Sequence, residues 1–116
     1  MPFLVCARCS QRLTNDLHLT SGPTQDVPGR PCIPAGTCTP SRAGGFILNH
    51  GDVTGTTRHP DPTRSMGCCG PDGFNGPNLI CRGCRRELAT EEADCWKPHC
   101  IVTIPDSTKL ITDPPH

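Results

Sequence analysis

Leu4-Val5-Cys6-Ala7-Arg8-Cys9 and Leu79-Ile80-Cys81-Arg82-Gly83-Cys84 are the two stretches whose reading decides the fold. Each places two apolar residues before a C-x-x-C pair. Apolar residues also follow each pair, at Leu13 and Leu88, so Leu79 to Leu88 repeats the logic of the N-terminal stretch: short strand, tight turn with two cysteines, second short strand. Two residues between cysteines let the chain turn so that both thiolates face one ion, at roughly 2.3 Å from each. Two such pairs between short strands are the ligand set of a zinc ribbon. The expected metal ligands are therefore Cys6, Cys9, Cys81 and Cys84, and the expected cofactor is Zn2+. Gly83 relieves the backbone where its turn tightens. The long segment between the pairs is a small obstacle, because loop-closure entropy grows only logarithmically with length.

Composition explains why such a staple is needed. The 116 residues fit one domain, 1–116. The apolar fraction is 34% and the aromatic share 3%, made up of Phe3, Phe46, Phe74 and Trp96 with no Tyr, so the residues that bury most area are scarce. Twelve Gly and fourteen Pro add chain freedom and turns rather than core. Ordering a domain of about this size costs on the order of 100–200 kcal/mol of conformational entropy. A structural zinc contributes about 10–16 kcal/mol of apparent binding energy, enough to decide whether a thin core folds.

The ten cysteines are disulfides or metal ligands according to compartment. Met-Pro-Phe-Leu-Val-Cys lacks the basic, apolar and small-residue regions of a secretory signal, and no apolar run approaches the roughly 20 residues that cross a bilayer. A cytoplasmic location with no membrane association is expected, and with it metal-binding thiols. Eleven basic and eleven acidic residues give a formal net charge of zero, so no global field draws in nucleic acid; such a partner would need a local patch.

Along the chain, Leu17 and Leu19 alternate with polar neighbours as a weak strand, and Ser21 to Gly45 is aperiodic and reads as loop. Phe46-Ile47-Leu48 reads as a buried strand ending at Asn49-His50-Gly51, and Asp52 to Met66 as a polar, extended path. Residues 21–66 thus form a loop-rich insertion. Gly67 to Asn78 strings together turn signals; Thr90 to Asp94 reads as one helical turn capped by Thr90; Ile101 to Ile104 reads as a strand ended by Pro105; the tail at 113–116 is expected to fray. The fold class is a small β-rich, loop-rich, metal-stabilised domain: zinc-ribbon-like, two knuckles with a long inserted loop.

Beyond the first four cysteines, Cys68, Cys69, Cys95, His99 and Cys100 offer a possible second metal site, the alternative being buried free thiols that pack as small hydrophobes. Cys32 and Cys38, with five residues between them, match no usual knuckle and read as free thiols or a disulfide. His18, His50, His59 and His116 stand alone, with His50 and His59 as reserve ligands. Arg8, Arg12, Arg82, Arg85 and Arg86 flank the cysteine pairs. They read as neutralising the charge of about −2 on a four-thiolate zinc, or as solvated surface. The competing reading is a phosphate-contacting patch, against which no aromatic residue interleaves to stack bases.

Gly67-Cys-Cys-Gly-Pro-Asp-Gly-Phe-Asn-Gly-Pro-Asn-Leu-Ile-Cys81, Ala89-Thr-Glu-Glu-Ala-Asp-Cys-Trp96, the N-terminal Leu4-Val-Cys-Ala-Arg-Cys9 and His59-Pro-Asp61 together resemble a group of short bacterial proteins without an assigned activity. That resemblance implies a small cysteine-rich bacterial protein and no particular reaction.

Three functional classes follow. The first is a non-catalytic zinc-binding module that binds another macromolecule, a protein before a nucleic acid, through the Gly67–Asn78 turns beside Trp96. Trp96 itself reads either as that surface or as the one large core residue. The second is a thiol redox protein or sensor using Cys68, Cys69 or the other spare cysteines, which requires a thiolate of depressed pKa. The third is a zinc enzyme at a second, open metal site built on Cys95 and His99, with Glu91, Glu92 and Asp94 as nearby bases; the two C-x-x-C pairs fill all four positions of the first site and close it.

Overall fold

The computed structural model describes residues 2–21, 24–42, 44–68 and 70–112. Its strands are β1 (Phe3–Cys6), β2 (His18–Leu19), β3 (Thr37–Pro40), β4 (Phe46–Leu48), β5 (Thr56–Arg58), β6 (Leu79–Cys81), β7 (Glu87–Glu92), β8 (Cys100–Thr103) and β9 (Thr108–Ile111). Two single 3-10 turns, His50–Asp52 and Pro62–Ser65, are the only helical segments among the described residues. Seven strands join in the order β2-β3-β4-β8-β7-β6-β5, antiparallel except for β2 beside β3, while β1 and β9 pair as a separate antiparallel ribbon. The result is the small β-rich domain expected from the sequence.

The two C-x-x-C stretches form two copies of one unit, matched hydrogen bond for hydrogen bond. In the first, Cys6 N–H donates to Gln11 O (2.9 Å) and Ser10 N–H to Cys6 O (2.9 Å); in the second, Cys81 N–H donates to Arg86 O (2.8 Å) and Arg85 N–H to Cys81 O (2.9 Å). Ala7 N–H donates to Ser107 O, and Arg82 N–H to Gly55 O. Cys6 pairs with Thr108 on β9, and Cys81 with Thr56 on β5.

These units are interlocked. Leu13 O accepts from Thr54 N–H (2.8 Å) in the first unit, yet the chain then runs on into β5, which pairs with β6 of the second. Leu88 O likewise accepts from Ile104 N–H (2.8 Å) before the chain runs into β9, which pairs with β1. Between them β4 and β8 lie side by side, with Leu48 opposite Ile101.

The core fills the space so defined with aliphatic and sulfur side chains: Leu4, Leu13, Leu17, Leu48, Leu79, Leu88, Ala89 and Ile101, together with Cys6, Cys38 and Cys81. Phe46 reaches it only in part. Buried polar side-chain atoms among the described residues are paired, with His99 Nε2 the exception. Leu4 N–H donates to the buried Thr14 hydroxyl (3.0 Å). Buried Asn78 accepts from Glu91 N–H (2.7 Å) and donates to Glu91 O (2.9 Å), its side chain serving as a strand partner where the β6–β7 register shifts.

Several expectations are corrected. The loop reading of Ser21 to Gly45 misses β3, whose Cys38 and Thr39 are both buried, so no alternation marks it. Polar Thr56–Arg58 is a strand because it lies at the sheet edge, where outward polar residues cost nothing. Thr90 to Glu92 is extended rather than helical: pairing with Val102, Ile101 and Cys100 on β8, and the Asn78 amide, outweigh a weak local preference. Trp96 is not the large core residue; it is 51% exposed. The tail at 113–116 lies outside the described residues.

Candidate metal centre

Each knuckle is built by its backbone. The i to i+2 bonds from Arg8 N–H to Cys6 Sγ (3.4 Å) and from Gly83 N–H to Cys81 Sγ (3.3 Å) turn the first sulfur of each pair inward. Ser10 (φ 64°) and Arg85 (φ 65°) then take left-handed backbone just past the second cysteine and send the chain back along the strand it came from. At Gly83 the opposite knuckle comes close: a Cβ there would sit 3.2 Å from Cys9 Sγ, a tight contact that the sulfur would have to relieve by a small shift.

The interlocking brings the knuckles face to face. Cys6 Sγ lies 3.7 Å from Cys84 Sγ, and Cys9 Sγ 3.5 Å from Cys81 Sγ, across 78 and 72 positions of sequence. All four sulfurs fall within 4.8 Å of one another. A regular tetrahedron of sulfurs around an ion at about 2.3 Å has edges of about 3.8 Å, so the four thiols have the spacing of a tetrahedral thiolate site. Disulfide bonding at about 2.05 Å is excluded at these separations. Cys6 and Cys81 are buried, Cys84 is half-buried and Cys9 is exposed, so the site opens to solvent on one side of an apolar floor.

Charge points the same way. The Gln11 backbone N–H lowers the Cys9 thiol, but hydrogen bonds with Cys81, Cys84 and Cys6 together with desolvation outweigh it and push Cys9 up to about 11. Four sulfurs this close resist ionising together unless a cation shares them. Among the described residues no other group of three or more Cys, His, Asp or Glu ligand atoms comes together.

The remaining candidate residues fall elsewhere. Cys69 and His116 lie outside the described residues. Cys68 and Cys95 are exposed, and the backbone N–H of each donates to the buried Asp94 carboxylate (3.0 and 2.7 Å), so Asp94 organises a turn. His99 packs edge-on against His50, ring centroids 6.1 Å apart, with its Nε2 buried and without a hydrogen-bond partner. His59 accepts from Asp61 N–H at Nδ1 (3.0 Å) and therefore donates from Nε2 to Glu87 (3.0 Å), which also binds Arg64 (2.8 Å). With both nitrogens engaged it is no reserve ligand. Among the flanking arginines, Arg12 is tied to Asp16 (2.9 Å) and stacked on Phe3, whereas Arg8, Arg82 and Arg85 are exposed beside the sulfurs.

Sequence reasoning missed two features of this surface. Buried Asp94 fixes the Trp96 indole N–H at 2.9 Å, a role hidden in an acidic run. Cys32 stands not with Cys38 but beside Cys100, which no spacing rule connects.

No protein-family model, curated protein or solved structure matches this chain. Among the described residues no helix is long and apolar enough to cross a membrane.

Proposed function

We propose that the chain is a non-catalytic zinc-binding module that presents an aromatic surface to a partner protein. The metal reading rests on the sulfur spacing and on the donor set. Cys6, Cys9, Cys81 and Cys84 would hold Zn2+ as the paired knuckles of a zinc ribbon do, and four thiolates leave no position for water, which makes the ion structural.

The observation that carries the partner reading is the pair Phe74 and Trp96. Both rings are exposed, with centroids 5.6 Å apart, and both are held in place. The Lys97 ammonium lies 4.4 Å from the Phe74 ring centroid and 5.2 Å from that of Trp96; it also donates to Asp72 O (2.6 Å) and pairs with Glu92. Asp94 fixes the indole from below. Exposed aromatic side chains whose rotamers are already fixed lose little entropy on binding and are the usual anchors of protein interfaces.

The test compares affinity capture by the zinc-loaded wild type with capture by a Phe74→Ala/Trp96→Ala double variant of equal zinc content. A specific protein retained by the first and lost by the second supports the reading; identical capture by both overturns it. A gel-shift titration at low salt tests the arginine-lined alternative: nucleic acid bound with a steep salt dependence that vanishes in Arg8→Ala/Arg82→Ala/Arg85→Ala would replace the protein partner.

A further inference from the structure

Two thiols that the sequence keeps far apart meet at the start of β8, the central strand of the large sheet. His99 N–H donates to Arg30 O (2.8 Å) and Cys32 N–H donates to His99 O (2.9 Å), a parallel bridge centred on Pro31 and His99. One residue further along each segment stand Cys32 and Cys100, on the same face because side chains alternate along extended backbone. Hydrogen-bonded extended segments run about 4.7–4.9 Å apart, inside the roughly 4.4–6.8 Å Cα window of a disulfide.

That bridge sets the two thiols side by side. A hydrogen bond from Cys100 lowers the Cys32 pKa against the opposing effect of burial, and the same contact, reinforced by burial and by Glu92, raises Cys100. Cys100 Sγ is also 3.8 Å from Glu92 Oε2 on β7. The two protons are therefore coupled, and a thiolate formed at one sulfur is held by the thiol of the other. Cys32 is buried and Cys100 half-buried, so the pair meets solvent through Cys100. Neither belongs to the four-sulfur centre.

We propose that Cys32 and Cys100 are a reversible redox modification site, oxidised to an intramolecular disulfide by a small peroxide. The Cys32 thiolate attacks one peroxide oxygen, the O–O bond breaks, and the departing hydroxide takes a proton to become water. Cys32 is left as a sulfenic acid. The Cys100 sulfur then attacks the Cys32 sulfur, the S–O bond breaks, and the leaving hydroxide takes the Cys100 proton as a second water. Two thiols give up two electrons, hydrogen peroxide is reduced to two waters, and a small dithiol reverses the linkage by exchange. The bond ties the 30–32 segment to β8 and leaves the metal centre untouched.

The experiment exposes the zinc-loaded full chain to one equivalent of hydrogen peroxide, alkylates the remaining thiols, and maps the peptides by mass spectrometry with zinc measured in parallel. The expected result is a Cys32–Cys100 cross-linked peptide, two hydrogens lighter than the reduced pair, reversed by dithiol, at unchanged zinc content. In Cys100→Ser the second step is blocked, and Cys32 is expected to accumulate as a sulfenic acid, trapped when the oxidised protein is unfolded in dimedone. Cross-links confined to other cysteines, alkylation of both thiols after peroxide treatment, or direct over-oxidation to sulfinic acid overturns the proposal. A Cys32 that gives no dimedone adduct in Cys100→Ser, in protein that retains its zinc, does so as well.

Discussion

Ser10 and Arg85 share one backbone conformation, φ 64° and 65°, each directly after the second cysteine of its knuckle. A left-handed L-residue costs about 1–2 kcal/mol, so both turns are held against that cost by the bonds to Cys6 O and Cys81 O. Replacing Arg85 by Gly removes the strain but adds unfolded-chain freedom, for a net gain of about 0–1 kcal/mol. Arg85→Val, branched at Cβ, is expected to be about 1–3 kcal/mol less stable than Arg85→Gly. Urea unfolding of the two zinc-loaded variants measures the difference.

If the four sulfurs hold zinc as proposed, removing the ion removes a contribution as large as the stability of the domain. Apparent zinc binding of about 10–16 kcal/mol is comparable with the whole stability of a domain, about 5–15 kcal/mol. A strong chelator, or Cys81→Ser in the buried floor of the site, is expected to abolish the cooperative thermal transition seen by circular dichroism. Elemental analysis should find one zinc per chain before treatment and none after. A sharp transition surviving in metal-free protein would refute the structural role.

Gly55 marks the place where the two units cross. A Cβ there would stand 2.0 Å from Arg12 O and 3.0 Å from Leu13 Cα, both backbone atoms that cannot swing aside. Gly55→Ala is expected to destabilise by at least about 2 kcal/mol, read as a lower urea midpoint.

Asn78 serves as backbone with its side chain. Asn78→Leu keeps the volume but strips both partners from Glu91 N–H and C=O, which predicts a loss of about 2–4 kcal/mol and faster amide exchange at Glu91. Loss of less than about 0.5 kcal/mol would mean that water replaces the amide without penalty.

Cys38 contributes to the alkaline limb of stability. Burial, and secondly the Asp52 carboxylate, raise its pKa above that of an unfolded thiol. The neutral thiol's contribution is complete below the unfolded value of about 8.5 and is lost as pH rises toward the folded one. Stability measured between about pH 8.5 and 10.5 should therefore fall less steeply in Cys38→Ala than in the wild type.

The four convergent sulfurs and the β-rich class were legible because each knuckle is a local device: spacing, flanking strands and a small residue specify the turn within ten residues. What lay between was harder to read. Strand β3 hides behind two consecutive buried residues and a proline, and β5 looks like loop because an edge strand needs no apolar face. Thr90 to Glu92 follows its neighbours on β8 and Asn78 rather than its own composition. Pairing of Cys32 with Cys100 depends on register between distant segments, which single-residue chemistry does not encode.

Closing the ribbon of β1 and β9 joins nearly the first described residues to nearly the last, through Phe3 opposite Ile111 and Cys6 opposite Thr108. During synthesis, then, β1 waits without its partner until β9 has been made about a hundred residues later, and the first knuckle waits with it. Such distant pairing makes folding slow and leaves nascent thiols open to wrong partners in the meantime. If the four sulfurs take zinc as proposed, the site is complete only once the first knuckle has reached the second, so the ion seals a threaded chain rather than seeding it.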